Sequence, residues 1–591
     1  MTTPGLSEAE GPLAVSMTAA DRRLRRQRVR QKRGREDILR RGLLLLIAAW
    51  LFIFLVWPLY QVLTRSLYDK AGEQFVGLAN YAAYFSSAAT SVSLRHSLNI
   101  SLISMVITVT LAFIYAYALT RTTIPWRPGL RAMARLPMFV PSLVQALVFI
   151  YIFGNNGIFT RATGINIHLY GPVGIVMSEV FYAFPHALII LVAALALADA
   201  RLYEAAESLR TTSRRMFFTI TLPSVRYGLM SAAFVVFTLA ITDFGAPKVV
   251  GGDYDVLATD IYNKVVGQQD FAMGATISTL LLIPAAIAFI LDRIVQRRQM
   301  AQVTADITPL GPKRHSTLVQ TALFVFCLLV VGFILSTYAV VVVGAFTQYW
   351  PYDLTLTTKH FTRFYVAGAH HRGGSFMLIW NSIQLAMITT VAGTAIVLFS
   401  AYLIEKTRRL NWPRSVLYLL SIMPLAVPGM VLGLSYIFTF NDPRNPFNFM
   451  YGTMAIMAVS TIFHYYTVPF LTATTALKQM DPEFESIGES LDAPFYRTFW
   501  RVTVPMSLPA IISIAMYFFL NALVTISALV FLFVPGKEVA ALAVMLLDDA
   551  GESAQAMALS LLILVTGLAA RGLFHLLTRG VERRTQAWTK R

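Results

Sequence analysis

The sequence predicts an all-α integral membrane protein of about twelve transmembrane helices, arranged as two parallel six-span repeats. Three observations carry this expectation. Of 591 residues, 56% are hydrophobic and only 14% charged, with a mean hydropathy of +0.61, far from the balance of a soluble domain. Twelve apolar stretches reach or exceed the roughly 18 residues that a bilayer span requires. A polar segment lying between two of them, Asp199 to Pro223, recurs 282 residues later as Asp481 to Pro505.

The first six stretches lie near 42–63, 97–120, 136–153, 173–198, 227–246 and 274–292. The second six lie near 318–346, 378–404, 416–440, 452–477, 507–534 and 555–577. Pro58, Pro141, Pro185, Pro284, Pro428 and Pro469 fall inside spans, where neighbouring helices can satisfy the carbonyls that proline frees. These limits divide the chain into a basic tail (1–41), a first unit (42–295), a polar linker (296–317), a second unit (318–578) and a short tail (579–591).

The formal charge of +18 is a topology signal. With both termini in the cytoplasm, most of the 49 Lys and Arg residues fall on the cytoplasmic side, as the retention of basic loops demands. The Arg-rich tract Arg22 to Arg41 then reads as a membrane-surface tether, and no nucleic-acid partner is expected. No small-residue cleavage site follows the first apolar run, so that run reads as a retained span. Cys327 stands alone in an apolar stretch and excludes an internal disulfide. It reads as a small core hydrophobe.

Within the repeated segment, Asp199/Asp481, Glu207/Glu489, Ser208/Ser490, Leu209/Leu491, Arg215/Arg497, Phe217/Phe499, Thr221/Thr503 and Pro223/Pro505 are identical. Ser97 and Thr122 match Ser382 and Thr407, Ala116-Tyr117 matches Ala401-Tyr402, and Pro137 and Pro141 match Pro424 and Pro428 at nearly the same offset. Asp199 and Asp481 are expected to cap short helices, Pro482 occupying a first-turn position where its missing N–H costs nothing. Ala205, Ala206 and Leu209 in one copy, and Ile487, Gly488 and Leu491 in the other, offer a small apolar face for a partner's groove.

Glu204-Ala205-Ala206, then Ser208-Leu209, then Thr221-Leu222-Pro223 resembles the EAA loop of type I ABC importer permeases: EAA, three residues, G, nine residues, I, any residue, LP. Ser486-Ile487-Gly488-Glu489-Ser490-Leu491, ending in Val504-Pro505, is a looser match, with Glu485 one place ahead of the motif glutamate. Both copies depart at the motif glycine, which is Arg210 in one and Asp492 in the other. The resemblance is to a fused pair of permease units and covers nearly the whole chain. It implies that Glu204, Ala205, Ala206, Ser208, Leu209, Arg210 and Pro223 form one ATPase-coupling loop. Glu485, Ser486, Gly488, Glu489, Ser490, Leu491 and Pro505 would form the other. The implied partners are two copies of a cytoplasmic ABC ATPase and a periplasmic solute-binding protein, in the bacterial inner membrane. No G-x-x-x-x-G-K-[ST] motif occurs, Gly536-Lys537 being followed by Glu538. No cofactor is therefore expected on this chain, no enzymatic activity of its own, and ATP is expected on the partners.

Fused permeases of this kind resemble those for ferric iron, organophosphonate, thiamine and polyamines. Thr242 to Gly252, followed by Leu257 to Tyr262, looks most like permeases assigned to 2-aminoethylphosphonate, while Leu547 to Gly551 is similar to both the phosphonate and ferric iron groups. Polar groups within spans are pathway candidates: Glu179, Asp243, Gln384, His464 and Asn521, with Gln145 and His186 besides. Asp243 reads as a carboxylate near the outer end of its span, able to attract an ammonium group. His186 and His464 read as packed histidines, and Asn521 and Gln384 as pathway lining or interhelical donors. The outer loop Gly251 to Asp270 reads as a solvated docking surface, since Lys264 stands where a calcium loop needs Glu. Oxygen ligation of ferric iron by Asp253, Tyr254 and Asp255 lacks a coordination shell.

A secondary transporter of the major-facilitator kind shares the parallel six-span plan, but its basic loop signature is absent from Arg121 to Arg135. A membrane enzyme finds no support, because no paired carboxylates, metal-ligand spacing or nucleophile elbow is present.

Overall fold

The computed structural model describes residues 35–585 apart from 303–307, 309, 313–315, 350–351, 363–364, 367–368, 371–373, 407–410, 482 and 492. Most of the basic tail, parts of the linker, Thr407, Pro482, Asp492 and residues 586–591 lie outside the described residues.

Among the described residues, eight helices are long and apolar enough to cross a bilayer, and four bent helix pairs raise the number to twelve. The single helices are Ile38–Arg65, Ser91–Arg121, Ser142–Thr163, Pro172–Ala196, Phe271–Arg298, Thr317–Phe346, Gly374–Lys406 and Ser553–Gly580. The bent pairs are Ser213–Ser224 with Arg226–Thr242 (62°), Trp412–Ala426 with Gly429–Phe440 (112°), Met454–His464 with Thr467–Gln479 (59°), and Phe495–Met506 with Leu508–Val524 (77°). Two short antiparallel hairpins, Thr347–Tyr349 with Asp353–Leu356 and Tyr365–Val366 with Ala369–His370, are small additions to the helical plan.

The repeat is visible in hydrogen bonds. Ser97 Oγ accepts from the Leu257 N–H at 2.8 Å, and its counterpart Ser382 accepts from the Ala540 N–H at 2.7 Å. Each serine thereby fixes the start of a short helix, Leu257–Tyr262 or Ala540–Asp549. Both repeated segments also carry a five-residue π-turn, Phe217–Thr221 and Phe499–Thr503, immediately before Leu222-Pro223 and Val504-Pro505. Proline lacks an N–H, and its ring crowds the carbonyl four residues back. Opening the turn by one residue relieves both problems.

The halves interlock. Pro58 cannot donate to the carbonyl of Phe54, which sits in a third π-turn, Phe52–Val56. Tyr436, from the second half, supplies the missing donor: its hydroxyl bonds to Phe54 C=O at 2.7 Å in a buried contact. In hydrocarbon such a repair holds two helices together as well as satisfying a carbonyl.

Two expectations about elements are corrected. The span expected over 507–534 ends as a helix at Val524, and the following residues run as turns. Their apolarity reflects burial inside protein, Ala528, Leu529 and Leu532 being at most 1% exposed. Likewise the span over 227–246 ends at Thr242, and Gly245–Val250 is a separate short helix. The loop Gly251 to Asp270 is more ordered than a solvated surface: the His96 ring stacks on Tyr254 at 3.5 Å, and Asp260 is 7% exposed, accepting from Ser93 Oγ at 2.9 Å.

Burial pushes the Asp260 carboxyl up to about 6. A carboxyl raised in the folded state stabilises when protonated, and that contribution disappears as pH rises through the folded value. The thermal midpoint of the purified protein is therefore expected to fall between about pH 4 and about pH 6, by the equivalent of at most about 3 kcal/mol. Thermal melts of Asp260→Asn should show a shallower slope, the remainder belonging to Asp548, whose carboxyl burial also pushes up to about 6.

Candidate functional site

The two repeated loops are built alike. Asp199 Oδ1 accepts from the Arg201 N–H at 3.1 Å and Asp481 Oδ1 from the Glu483 N–H at 2.9 Å, starting the helices Ala200–Ser208 and Glu483–Ser490. Ser208 and Ser490 turn their hydroxyls back onto Glu204 C=O and Ser486 C=O, at 3.0 and 2.8 Å. Each helix closes on a 6→1 bond, from Thr211 N–H to Ala206 C=O and from Ala493 N–H to Gly488 C=O, both 2.9 Å. That closure needs a left-handed residue near the helix end.

Arg210 fills this position with φ +52°, which gives the motif glycine its physical reason. Arg210→Gly should stabilise the loop by about 1 kcal/mol, read as slower hydrogen exchange at Ala206 and Leu209 with no change of fold. Asp492, the matching residue, lies outside the described residues.

The outward face differs from the expected one. Ala206 is 7% exposed and Gly488 is buried, so both face the bundle. A Cβ at Gly488 would lie 2.9 Å from Thr498 Oγ1. The exposed apolar residues on the two short helices and their ends are Leu202 and Leu209 in one loop, and Phe484, Ile487 and Leu491 in the other, with Leu209 80% and Leu491 74% exposed; Phe218, Tyr496 and Trp500 are exposed further along. Glu204, Ala205, Ser486 and Ser490 are exposed beside them, while the side chains of Glu485 and Glu489 lie outside the described residues. Leu202 and Phe484 were missed, although the i, i+3, i+7 spacing from 202 through 205 to 209 pointed to them. Tyr203 anchors the first helix, its hydroxyl donating to Thr221 Oγ1 at 3.0 Å. Pro223 and Pro505 then introduce the bends into Arg226–Thr242 and Leu508–Val524.

A cavity of about 180 Å³ lies between the halves. Its lining includes Ser142, Tyr182, Thr242 and Asp243 from the first half, and Gly429, His464, Tyr465, Tyr517, Thr525 and Ser527 from the second. Asp243 is half-buried, accepting from Ser142 Oγ at 2.7 Å and from the Ala246 N–H at 2.9 Å. It thus belongs to the central cavity, a correction to its reading as an interfacial carboxylate. Glu179, fully buried, lies against Asp243 from behind. His464 lines the cavity and its Nδ1 has no hydrogen-bond partner.

The remaining polar candidates have structural roles or lie elsewhere. Asn521 donates to Tyr517 C=O at 2.8 Å within its own helix and does not line the cavity. Gln384 is exposed on a helix face away from it. Gln145 satisfies the carbonyl that Pro141 leaves free by donating to Pro137 C=O at 2.8 Å, and His186 bonds Tyr182 C=O within its helix at 3.3 Å. Among the described residues, no group of three or more His, Cys, Asp or Glu side chains converges as a metal shell.

Two half-helices begin at this cavity, Ser142–Phe153 and Gly429–Phe440, each after a matched proline and a 3₁₀ turn. Their starts are unlike. Ser142 has the Asp243 carboxylate beside it, whereas the position matching Asp243 in the second half is the uncharged Thr525. The start at Gly429 is packed instead against Ser527 and the Ala528 backbone, so closely that a Cβ would lie 3.0 Å from Ala528 N. Gly429→Ala should displace this half-helix and lower uptake with normal membrane insertion. At the end of the bundle away from the repeated loops, Lys248 Nζ lies 3.1 Å from Asp549 of the other half.

Residues 109–301 and 393–583 each match the family described as binding-protein-dependent transport system inner membrane component. The ferric transport system permease protein FbpB of Actinobacillus pleuropneumoniae is 28% identical over 89% of this chain and 77% of its own length. A putative ferric transport system permease protein FbpB 1 of Haemophilus influenzae is 28% identical over 83% and 77%. A solved bacterial ABC transporter involved in import of the acidic polysaccharide alginate aligns with 44% of this chain and 96% of its own, at 16% identity and a TM-score of 0.39. Two family matches in one polypeptide, together with its paired loops and paired broken helices, establish that the chain belongs to the binding-protein-dependent transport system inner membrane components, as a fused double permease unit of an ABC importer.

Proposed function

We propose that this permease carries a small zwitterionic solute, 2-aminoethylphosphonate being the compound to which the segments 242–252 and 257–262 point. The single observation that carries this reading is the two-ended polarity of the cavity. At one wall stands the Asp243 carboxylate, suited to an ammonium group. At the other, a helix start at Gly429, with Ser527 against it and the uncharged Thr525 where the first half has Asp243, offers the positive end of a backbone dipole to an oxyanion, His464 lying in the same lining. Among the described residues, no Lys or Arg lines the cavity, so neither end is overwhelmed by a full positive charge.

In this reading the loops at 199–223 and 481–505 face the cytoplasm and each docks one ATPase. The units 42–295 and 318–578 move against each other, and a periplasmic binding protein delivers the solute at the Lys248–Asp549 end. Ferric iron is the second reading, favoured by the two ferric permease relatives that align over most of the chain. Calorimetric titration of the partner binding protein with 2-aminoethylphosphonate and with ferric citrate separates them. Tight binding of the phosphonate is expected, and binding of iron alone would reject the zwitterion.

A further inference from the structure

At the end of the bundle that carries the repeated loops, each loop is held by the stretch of chain entering the first span of the other half. The first helix begins with Ala200, whose N–H donates to Thr308 C=O of the linker at 2.9 Å. Beneath it lies Arg121, 4% exposed. Its Nη2 donates to Leu195 C=O at 2.6 Å and its Nη1 reaches Leu310 C=O at 3.4 Å. Its guanidinium lies 5.4 Å from the ring centre of Tyr203, the side chain that anchors the loop to Thr221. Gln320, in the first turn of Thr317–Phe346, adds a 2.7 Å bond to Thr123 Oγ1. The second loop has its own cross-half contact. Arg40, in the first turn of Ile38–Arg65, sits 5.2 Å from the ring centre of Phe495, which is 4% exposed.

We propose that the two loops are cross-strapped. The linker, through Thr308 and through Leu310 held by Arg121, positions the first loop, and the entry of the first span, through Arg40, positions the second. Displacing either loop then pulls directly on the first span of the opposite half. Arg121 is suited to this because its planar donors reach two carbonyls while its face covers an aromatic ring, a geometry that Lys reproduces only in part. The strap's role in transport rests on the reading of the loops as ATPase docking sites.

The test uses the complete complex, with ATPase and binding protein, in proteoliposomes. Three perturbations are compared: Arg121→Gln, Arg40→Gln, and a protease site inserted after Gly311 and cut after assembly. Retention of the ATPase is measured alongside solute imported per ATP hydrolysed. The expected result is an ATPase that stays bound and active while solute per ATP falls roughly fivefold, the lower end of coupling between linked sites, with Arg121→Lys restoring part of the loss. If Arg121→Gln fails to fold, the other two carry the test. Unchanged solute per ATP in both the cut complex and Arg40→Gln would overturn the proposal, as would release of the ATPase on cutting. A parallel Leu209→Asp variant keeps the docking reading separable: an ATPase that remains bound and coupled there would reject docking itself, whatever the strap variants do.

Discussion

Leu209→Asp combined with Leu491→Asp is expected to abolish ATP-driven uptake while leaving the bundle folded. These leucines are 80% and 74% exposed, so a carboxylate at either costs the isolated protein little. In a docked groove the same side chains would be buried apolar anchors. Losing one such anchor costs about 2 kcal/mol, roughly thirtyfold in affinity. The two loops lie in separate halves, so their losses should add. Co-purification of the ATPase and uptake into proteoliposomes check the result. Wild-type retention and uptake in the double variant would remove the loops from the docking surface.

The second large effect is expected at Asp243. Asp243→Asn keeps the shape of the side chain and an oxygen acceptor for Ser142, but removes the charge facing the cavity. A charged hydrogen bond to an ammonium is worth about 1.5 to 3 kcal/mol, so uptake of 2-aminoethylphosphonate should fall roughly tenfold or more. Ethylphosphonate, which has no amine, should be much less affected. Competition uptake reads both at once, and equal sensitivity of the two solutes would contradict the assignment of Asp243 to the ammonium.

Large parts of this architecture are readable from residue order because bilayers impose a length and a composition on what crosses them. The limits of Ile38–Arg65 or Ser553–Gly580 follow from apolar runs bounded by charged residues. Hydropathy misleads at 525–534, since residues packed inside protein and residues facing lipid look alike in one dimension. The repeated loops were legible as a pair through identical residues at a constant offset, yet their orientation was only partly so. Ala206 and Gly488 are small because they pack against the bundle, whereas smallness alone suggested a docking face. Asp243 shows the opposite limit: its sequence distance from Ser142 and His464 hides a cavity that exists only once both halves are assembled. Gln145 and Tyr436 repair carbonyls freed by prolines, roles that only the fold reveals.

Reconstitution tests the account at its base. With ATPase, binding protein and ATP supplied, vesicles containing this chain should accumulate solute, and omitting ATP or the ATPase should reduce uptake to the leak of empty vesicles. Accumulation by the chain alone, driven by a proton or sodium gradient, would contradict it.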